Sequence, residues 1–305
     1  MAEDYPRTLM ELERRFSDES ACRAYLLSLR WPDGVMCPGC GGRRGLAIRR
    51  NLWRCVACRR EASVMAGTVF QDSKLPLTIW FRAIWQVTSQ KNGMSALGLQ
   101  RVLGLGSYKT AWALLHKLRR AMVRPGRDRL DGVIEVDETY WGSDDQPVTG
   151  RLTYDKALIL VAAQARGQGI GRVRLRHVQD LTKATAHRFI TETIAPGATV
   201  RTDGLNIYEG LKGYVHDPHV RGPDPRRASV LLPRVHRVAS LLKRWLLGTH
   251  QGAIAHEHLD DYLNEFTFRF NRRTSASRGK LFYRLAQQAV QIEPAPFESL
   301  VIPKQ

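Results

Sequence analysis

Residues 132–142 read GVIEVDETYWG, and this stretch opens a series of short strand patterns that decides the fold. After a polar loop, residues 157–163 (ALILVAA) form a continuous apolar run, and residues 171–178 (GRVRLRHV) alternate between apolar and basic residues. A continuous apolar run is typical of a strand buried on both faces, whereas alternation is typical of a strand buried on one face. The three stretches therefore predict three successive β-strands.

Helix and strand patterns alternate after residue 178. Helices are predicted from Thr182 to about Ile194 and from about Pro233 to Leu247, with strands at residues 198–202 and 213–220 between them. We interpret the order as β-β-β-α-β-α-β-α, which is that of the ribonuclease H-like fold. In that fold the first and fourth strands lie side by side at the centre of the sheet. We therefore predict an α/β protein with a ribonuclease H-like domain.

Asp137 lies within the first predicted strand, and Asp203 lies at the end of the fourth. If these strands are neighbours, the two carboxylates meet. Clustered carboxylates on rigid strands hold Mg²⁺ or Mn²⁺, and two such ions about 3.5–4 Å apart assist both the attacking and the leaving oxygen in phosphodiester chemistry. By strand alternation, Glu135 shares the face of Asp137 and Glu138 lies on the other. The competing interpretation is that both aspartates are ordinary surface residues at strand ends.

Two cysteine pairs precede this region, Cys37 with Cys40 and Cys55 with Cys58. Two CxxC turns joined by a β-hairpin place four thiolates around one tetrahedral Zn²⁺, which predicts a structural zinc ribbon. The ribbon is basic, and its arginines are Arg43, Arg44, Arg49, Arg50, Arg54, Arg59 and Arg60. Disulfides are the alternative, but the sequence shows no apolar signal stretch and a fifth cysteine, Cys22, is left over. We therefore expect a reducing, cytoplasmic compartment.

The charge balance points to a polyanionic partner. The 305 residues include 47 Lys and Arg against 29 Asp and Glu, which gives a net charge of +18 with neutral histidines. Charge and ribbon together predict nucleic acid binding, although charge does not separate DNA from RNA, and a basic solvated surface is the alternative. Because no stretch is apolar enough to span a bilayer, we expect no membrane partner.

The segment between the ribbon and the strands has a helical pattern. One helix is predicted over residues 8–29 ahead of the ribbon, and a buried helix over residues 75–88 behind it. Ser95 and Ser107 are predicted to cap two further helices, which run through Leu103 and Met122 and are joined by a glycine turn.

The last two of these helices form a helix-turn-helix candidate. In such a unit the second helix enters the major groove of DNA. Its predicted outer face carries Lys109, Lys117, Arg119 and Arg120. An ordinary helical hairpin is the alternative. The predicted segments are 1–34 (helical), 35–66 (zinc ribbon), 67–124 (helix-turn-helix-like), 130–290 (catalytic) and 291–305 (tail).

Six stretches carry a family resemblance: RWPDGVMCPGC (30–40), GTVFQDSKLPLTIWF (67–81), VIEVDETYWG (133–142), VRTDGLNIY (200–208), SLLKRWLLGTH (240–250) and YLNEFTFRFNRR (262–273). In order and spacing they resemble the ISXO2-like group of bacterial insertion-sequence DDE transposases, which carry an N-terminal zinc ribbon. The resemblance covers residues from about 20 to 290. It implies a ribonuclease H-like domain that cuts and rejoins DNA with divalent metal.

The resemblance also assigns site residues. Asp137 matches the first catalytic aspartate of the family and Asp203 the second. The third position falls on His236, 33 residues after Asp203 and seven before Lys243. His236 is therefore predicted as the third ligand of the divalent ion. Because imidazole brings no negative charge, such a site should favour Mn²⁺ over Mg²⁺ more than a site with three carboxylates does.

Glu265 or Asp261 is the alternative third ligand, which would leave His236 as a phosphate contact or a structural residue. Lys243 lies on the same helix face as His236 and is predicted to hold a DNA phosphate, whereas Arg244 points elsewhere in the same DNA-binding segment. A second DNA clamp is predicted where a later helix ends, at Arg269, Asn271, Arg272 and Arg273. Arginines at a helix end can instead simply oppose the helix dipole.

These inferences combine into one hypothesis. The ribbon and helix-turn-helix bind the terminal inverted repeats of an insertion sequence, and the metal site performs DNA cleavage and strand transfer, as in recombination by integrases. We expect a homo-oligomer on DNA, associated with the nucleoid. The alternatives are a zinc-ribbon DNA-binding regulator, an inactive transposase remnant, and a ribonuclease H-type nuclease.

Overall fold

The computed structural model describes residues 3–48, 52–124, 126–142, 156–220 and 231–301. The predicted ribbon residues Arg49 and Arg50 lie outside the described residues, as do the polar loop that follows the first predicted strand and the end of the tail. The chain divides into two compact units, one formed by Met1–Pro125 with Thr274–Gln305 and the other by Gly126–Arg273.

The helices and strands of the described residues, in chain order, are α1 (Leu9–Arg15), α2 (Glu19–Arg30), β1 (Gly45–Ala47), β2 (Leu52–Cys55), β3 (Glu61–Ser63), α3 (Leu77–Ser89), α4 (Ala96–Leu103), α5 (Tyr108–Ala121), β4 (Val133–Trp141), β5 (Ala157–Arg166), β6 (Gly169–Val178), α6 (Lys183–Thr193), β7 (Thr199–Thr202), β8 (Val215–Pro218), α7 (Pro233–His250), α8 (Leu259–Phe270), α9 (Arg278–Ala289) and α10 (Phe297–Val301).

The second unit is built on a five-stranded sheet with the order β6-β5-β4-β7-β8. β4 pairs in antiparallel fashion with β5 and in parallel with β7, where Glu135 lies opposite Arg201. The first and fourth strands of the unit are therefore neighbours, as the ribonuclease H-like order predicts, and the predicted fold class is confirmed. The predicted order also places a helix between its fourth and fifth strands. In the structure these are β7 and β8, and only a 3-10 turn, Asn206–Tyr208, lies between them, so this helix is not formed.

Helices cover both faces of this sheet. α7 and α8 pack on the face that carries Ile159 and Val161, and α6 packs on the face that carries Ile134 and Val136. Because β5 is buried on both faces, its sequence is a continuous apolar run. Alternate residues of a strand point to opposite faces, so Asp137 of β4 faces the side on which α7 lies.

The first unit contains the ribbon and the remaining helices. β1, β2 and β3 form a three-stranded antiparallel sheet. The helices meet in an aromatic cluster, where the rings of Phe16 and Phe81 lie 4.7 Å apart and those of Phe81 and Phe282 lie 5.6 Å apart. Phe282 belongs to α9, so the chain returns to the first unit after residue 273 rather than at the predicted boundary of 290. The other predicted segment boundaries stay predictions.

Three local predictions in the first unit need correction. The helix predicted over residues 8–29 is two helices, because the Asp18 side chain accepts the Ala21 N–H at 2.9 Å and starts α2 anew. Ser95 caps α4 as predicted, but the Ser107 side chain makes no capping hydrogen bond to α5. Arg119, predicted on the outer face of α5, is only 2% exposed and lies 3.3 Å from the ring of His116.

The turn of the helix-turn-helix candidate depends on a glycine. Gly104 ends α4 with a φ of 63° in the left-handed region, where a residue with a side chain is strained. None of the helices in the described ranges is both long and apolar enough for a transmembrane segment.

Candidate functional site

The four predicted zinc ligands come together in the ribbon. The sulfurs of Cys37, Cys40, Cys55 and Cys58 all lie within 4.8 Å of one another, and the Cys37–Cys58 and Cys40–Cys55 separations are 3.4 and 3.6 Å. Tetrahedral Zn–S bonds of about 2.3 Å set sulfur separations of about 3.8 Å, so this cage fits zinc. The Gly39 N–H donates to the Cys37 sulfur and lowers the pKa of that thiol to about 6, which favours the thiolate that zinc binds.

A second cluster of ionisable groups lies at the centre of the sheet in the other unit. The parallel pairing of Glu135 with Arg201 brings Asp137 of β4 beside Asp203, two residues further along each strand. The Glu138 N–H donates to Asp137 Oδ1 at 2.9 Å, and the Leu205 N–H donates to Asp203 Oδ1 at 3.1 Å. Sequence analysis placed both aspartates here, and the sheet brings them together.

Burial and mutual repulsion perturb this cluster. Burial first, and then the charge of Asp203, raise the pKa of Asp137 to about 6. Burial, and then the charges of Asp137 and Asp203, raise the pKa of Glu138 to about 7. The buried hydroxyl of Tyr208 lies 3.5 Å from Glu138 Oε2, and burial followed by the charge of Glu138 raises the pKa of Tyr208 well above its ordinary value. Crowded carboxylates of this kind are what a divalent cation neutralises.

His236 reaches the cluster from α7. Its Nε2 lies 3.7 Å from Asp137 Oδ2, and its side chain is 38% exposed against 14% for Asp137. The donor set of carboxylate oxygens and one imidazole suits Mg²⁺ or Mn²⁺. Within the described ranges the four cysteines are the only group of three or more such side chains whose ligand atoms all lie within 4.8 Å of one another, so Asp137, Asp203 and His236 do not form an equally tight set.

The alternative third ligands have a different setting. Glu265 is fully buried in α8, and its Oε1 accepts from Arg269 Nε at 2.9 Å within the same helix. Asp261 lies one turn earlier in α8 and is also buried. Glu265 thus has a cationic partner on its own helix, whereas His236 faces Asp137 directly.

The exposed face of α7 beside His236 is basic. Arg237, Lys243 and Arg244 are exposed and make no hydrogen bond or ion pair with any part of the chain that the structure describes. Arg237, Ser240 and Arg244 line a cavity of about 460 Å³ together with His236. Arg244, predicted to point elsewhere than Lys243, lines the same cavity as His236, although it lies about 12 Å further along α7 and is rotated by about 80° around the helix axis.

The side chains of the predicted DNA clamp at the end of α8 make hydrogen bonds within the protein. Asn271 accepts the Val173 N–H at 2.7 Å and donates to the Val173 carbonyl at 3.1 Å, which fixes β6. Arg273 donates to the carbonyls of Gly171 and Phe270, and Arg272 donates to that of Phe268.

The remaining arginine of the clamp, Arg269, pairs with the buried Glu265. Because all four clamp side chains have partners within the protein, we exclude them from the interface proposed below.

The two lysines predicted on the helix-turn-helix differ in exposure. Lys109 is exposed at the start of α5. Lys117 is half-buried, and burial lowers its pKa. Of the two, Lys109 is therefore the more accessible to solvent.

Sequence reasoning missed three members of the site. Strand alternation predicted that Glu138 points away from Asp137. In the structure, however, Asp203 lies just past the end of β7, and its charge raises the pKa of Glu138 as well as that of Asp137. Arg237 and Ser240 were not singled out. The four-residue spacing of Ser240 from His236 is a helical signal that could have found it, whereas Arg237 directly follows His236 and no local spacing singles it out.

A zinc ribbon together with a ribonuclease H-like sheet that gathers carboxylates defines a metal-binding protein of the DDE transposase class. Residues 129–271 match the ISXO2-like transposase domain, and residues 17–61 match the transposase zinc-ribbon domain. The chain belongs to the ISXO2-like transposase family.

Two known proteins are similar to the chain. An uncharacterized protein in the transposable element ISH50 of Halobacterium salinarum is 30% identical over 284 residues, which cover 84% of this chain and 92% of that protein. A chain in the cryo-EM structure of the simian T-cell lymphotropic virus intasome in complex with the PP2A regulatory subunit B56 gamma is 16% identical, with a TM-score of 0.33, 60% coverage of this chain and 70% of that chain.

Proposed function

We propose that this transposase binds the terminal inverted repeats of its insertion sequence and catalyses metal-dependent DNA cleavage and strand transfer. The observation that carries the proposal is the position of His236, which lies 3.7 Å from the Asp137 carboxylate on a helix face lined with unpartnered cations. An acidic centre beside a basic track suits a reaction on a polyanion.

The ligands of the divalent ion are Asp137, Asp203 and His236. When bound, Mg²⁺ or Mn²⁺ would lower the pKa of the attacking oxygen and neutralise the leaving oxygen. The assignment is supported by the positions of Asp137 on the buried strand β4, Asp203 just past the end of β7 and His236 on α7, where its Nε2 lies 3.7 Å from Asp137 Oδ2. Water is the first nucleophile, and the freed 3′-hydroxyl of DNA is the second.

The α7 face holds the DNA strand that enters this centre. Lys243 and Arg244 supply phosphate contacts, because exposed cations without an internal partner lose little when they bind a phosphodiester. Lys109, Lys117 and the ribbon arginines are proposed to bind the inverted repeats. Because two element ends must be held at once, we propose a homo-oligomer on DNA, in the cytoplasm and associated with the nucleoid.

The test uses supercoiled DNA that carries the ends of the element, incubated with Mn²⁺ and assayed for nicks and joined products. Asp137→Ala and Asp203→Ala should abolish both products and leave DNA binding nearly intact. Retained cleavage in either variant contradicts the assignment. Specific binding by the unaltered protein without any nicking supports a regulator, and cleavage of RNA–DNA hybrids without joining supports a nuclease.

The third ligand is tested separately. His236→Ala should lose cleavage, and His236→Glu should restore it with a larger share of activity in Mg²⁺, because the added charge strengthens the oxygen site. If the alanine variant cuts as well as the unaltered protein, His236 is not a ligand.

A further inference from the structure

Glu135 makes an unusual set of contacts for a strand residue. It lies on β4 two residues before Asp137 and is fully buried. Its Oε2 accepts the backbone N–H groups of Arg234 at 2.6 Å and Val235 at 3.1 Å, and its Oε1 accepts from Arg234 Nη1 at 2.8 Å. One carboxylate thus binds the first turn of α7 through three hydrogen bonds.

The first turn of α7 requires such a partner. Its N-cap residue is Leu232, which has no side-chain acceptor, and Pro233 follows at the first helical position. The N–H groups of Arg234 and Val235 would otherwise have no acceptor inside a buried helix start. Glu135 therefore replaces the missing N-cap residue from a distance of 99 residues along the chain.

Arg234 extends this connection to the neighbouring strands. Its Nε donates to the Gly169 carbonyl at 3.0 Å and its Nη2 to the Gly167 carbonyl at 2.9 Å, both in the turn between β5 and β6. The Arg234 guanidinium is thereby fixed by the carboxylate on one side and by two carbonyls on the other. The helix start is held by β4 through Glu135 and by the end of the β5–β6 hairpin through Arg234.

His236 immediately follows the residues that Glu135 binds. Asp137 and Glu135 lie on the same strand, Glu135 accepts the Val235 N–H, and Val235 directly precedes His236. These contacts link the Asp137 carboxylate to the His236 imidazole, which lie 3.7 Å apart. We propose that Glu135 is a positioning residue whose carboxylate caps α7 and thereby sets the His236 ring opposite Asp137. The role of His236 as a metal ligand rests on the proposed function. The placement of its ring by Glu135 does not.

Placement is tested first, without Mg²⁺ or Mn²⁺ and without an activity assay. In zinc-loaded full-length protein with labelled histidine, the ring signal of His236 is identified among nine histidines by its loss in His236→Gln. Asp137→Asn should shift this signal when Glu135 is present. In a Glu135→Gln background the same substitution should leave it unmoved, because an amide has one acceptor oxygen and turns its NH2 donors either toward the α7 N–H groups or toward the Arg234 guanidinium, so one of the two contacts is lost. An equal shift in both backgrounds overturns the proposal.

Glu265→Gln is the control for an effect that comes only from a general loss of stability. That substitution also removes the charge of a fully buried, arginine-paired glutamate in the same unit. The response of the His236 signal to Asp137→Asn should persist in this background. If it disappears there too, loss of a buried charge is sufficient and Glu135 has no special role.

Metal affinity is the second measurement. Substituting the partner that orients a ligand typically costs about 10- to 100-fold in affinity, and Glu135→Gln should weaken Mn²⁺ binding by this amount. In a His236→Ala background, Glu135→Gln should cause no further fall. An independent fall in that background contradicts an action through His236. If Mn²⁺ binding depends on neither Asp137 nor His236, the proposed metal site fails, while the ring-signal test still decides the role of Glu135.

Discussion

Asp137→Asn should have opposite consequences with and without a divalent ion. In the metal-free protein the pKa of Asp137 is raised from 3.8 to about 6. A group whose folded-state pKa is raised contributes stability at low pH that is lost as the pH rises through the folded-state value. The unaltered protein therefore becomes less stable as the pH rises from about 4 to about 6. The Asp137→Asn variant should not show this loss, because asparagine does not ionise.

The size of the effect follows from the pKa difference. A difference of about 2 between the folded and unfolded pKa corresponds to about 3 kcal/mol. Metal-free Asp137→Asn should exceed the unaltered protein in unfolding free energy by about 3 kcal/mol at pH 8 and by about half as much at pH 5. The Glu138 N–H bond to Oδ1 survives, because the asparagine carbonyl can also accept it.

Hydrogen–deuterium exchange of peptides from β4 and β5 measures this free energy in the second unit alone. Zinc stays in the ribbon and other divalent ions are removed. Mn²⁺ at about 100 times its Kd should then stabilise the unaltered protein by about 2.7 kcal/mol and leave the asparagine variant nearly unchanged, which cancels most of its advantage.

Asp217→Asn is the matched control, because its hydrogen bond with Arg201 lowers the pKa of Asp217 and its loss should bring no gain in stability. If Asp137→Asn and the unaltered protein are equally protected from hydrogen exchange at pH 8, that result would falsify the inference that buried, crowded carboxylates destabilise this site.

Three further predictions concern other parts of the chain. Cys55→Ser should abolish stoichiometric zinc binding, measured by metal analysis, whereas Cys22→Ser should retain it because Cys22 lies outside the cage. Asn271→Ala should lower the unfolding free energy by about 1–3 kcal/mol, since the buried N–H and C=O of Val173 lose their partner, and should leave the salt dependence of DNA binding unchanged. Arg244→Gln should reduce the slope of log affinity against log salt by about 1 without destabilising the protein, and an unchanged slope argues against a phosphate contact.

Sequence patterns predicted the features that local chemistry decides. The CxxC spacing specifies a sulfur cage because four thiolates must surround one ion, and the apolar run of residues 157–163 specifies a central strand because both its faces are buried. The ribonuclease H-like order then placed Asp137 and Asp203 on adjacent strands. Boundaries were less secure, as at residues 8–29, where the cap at Asp18 divides one helical pattern into two.

The arginines show where local pattern fails. Arg237 and Arg273 have the same charge and similar helical surroundings in sequence. In the fold, Arg273 donates to three backbone carbonyls, whereas Arg237 has no partner in the described structure and lines the cavity beside His236. Availability for DNA depends on acceptors that come from elsewhere in the chain, and no local pattern encodes them.

The sequence by itself determined the four sulfur ligands, the succession of five strands and the excess of positive charge, because each follows from residue identity and spacing, whereas the pairing of the first and fourth strands was taken from the analogy with the ribonuclease H-like fold. Only the tertiary structure decided that Glu135 caps α7 and that Glu138 shares the repulsion between the aspartates. Those roles depend on burial and on contacts between residues far apart in the chain, 99 positions for Glu135 with Arg234 and 65 for Glu138 with Asp203, to which the charge of the adjacent Asp137 adds.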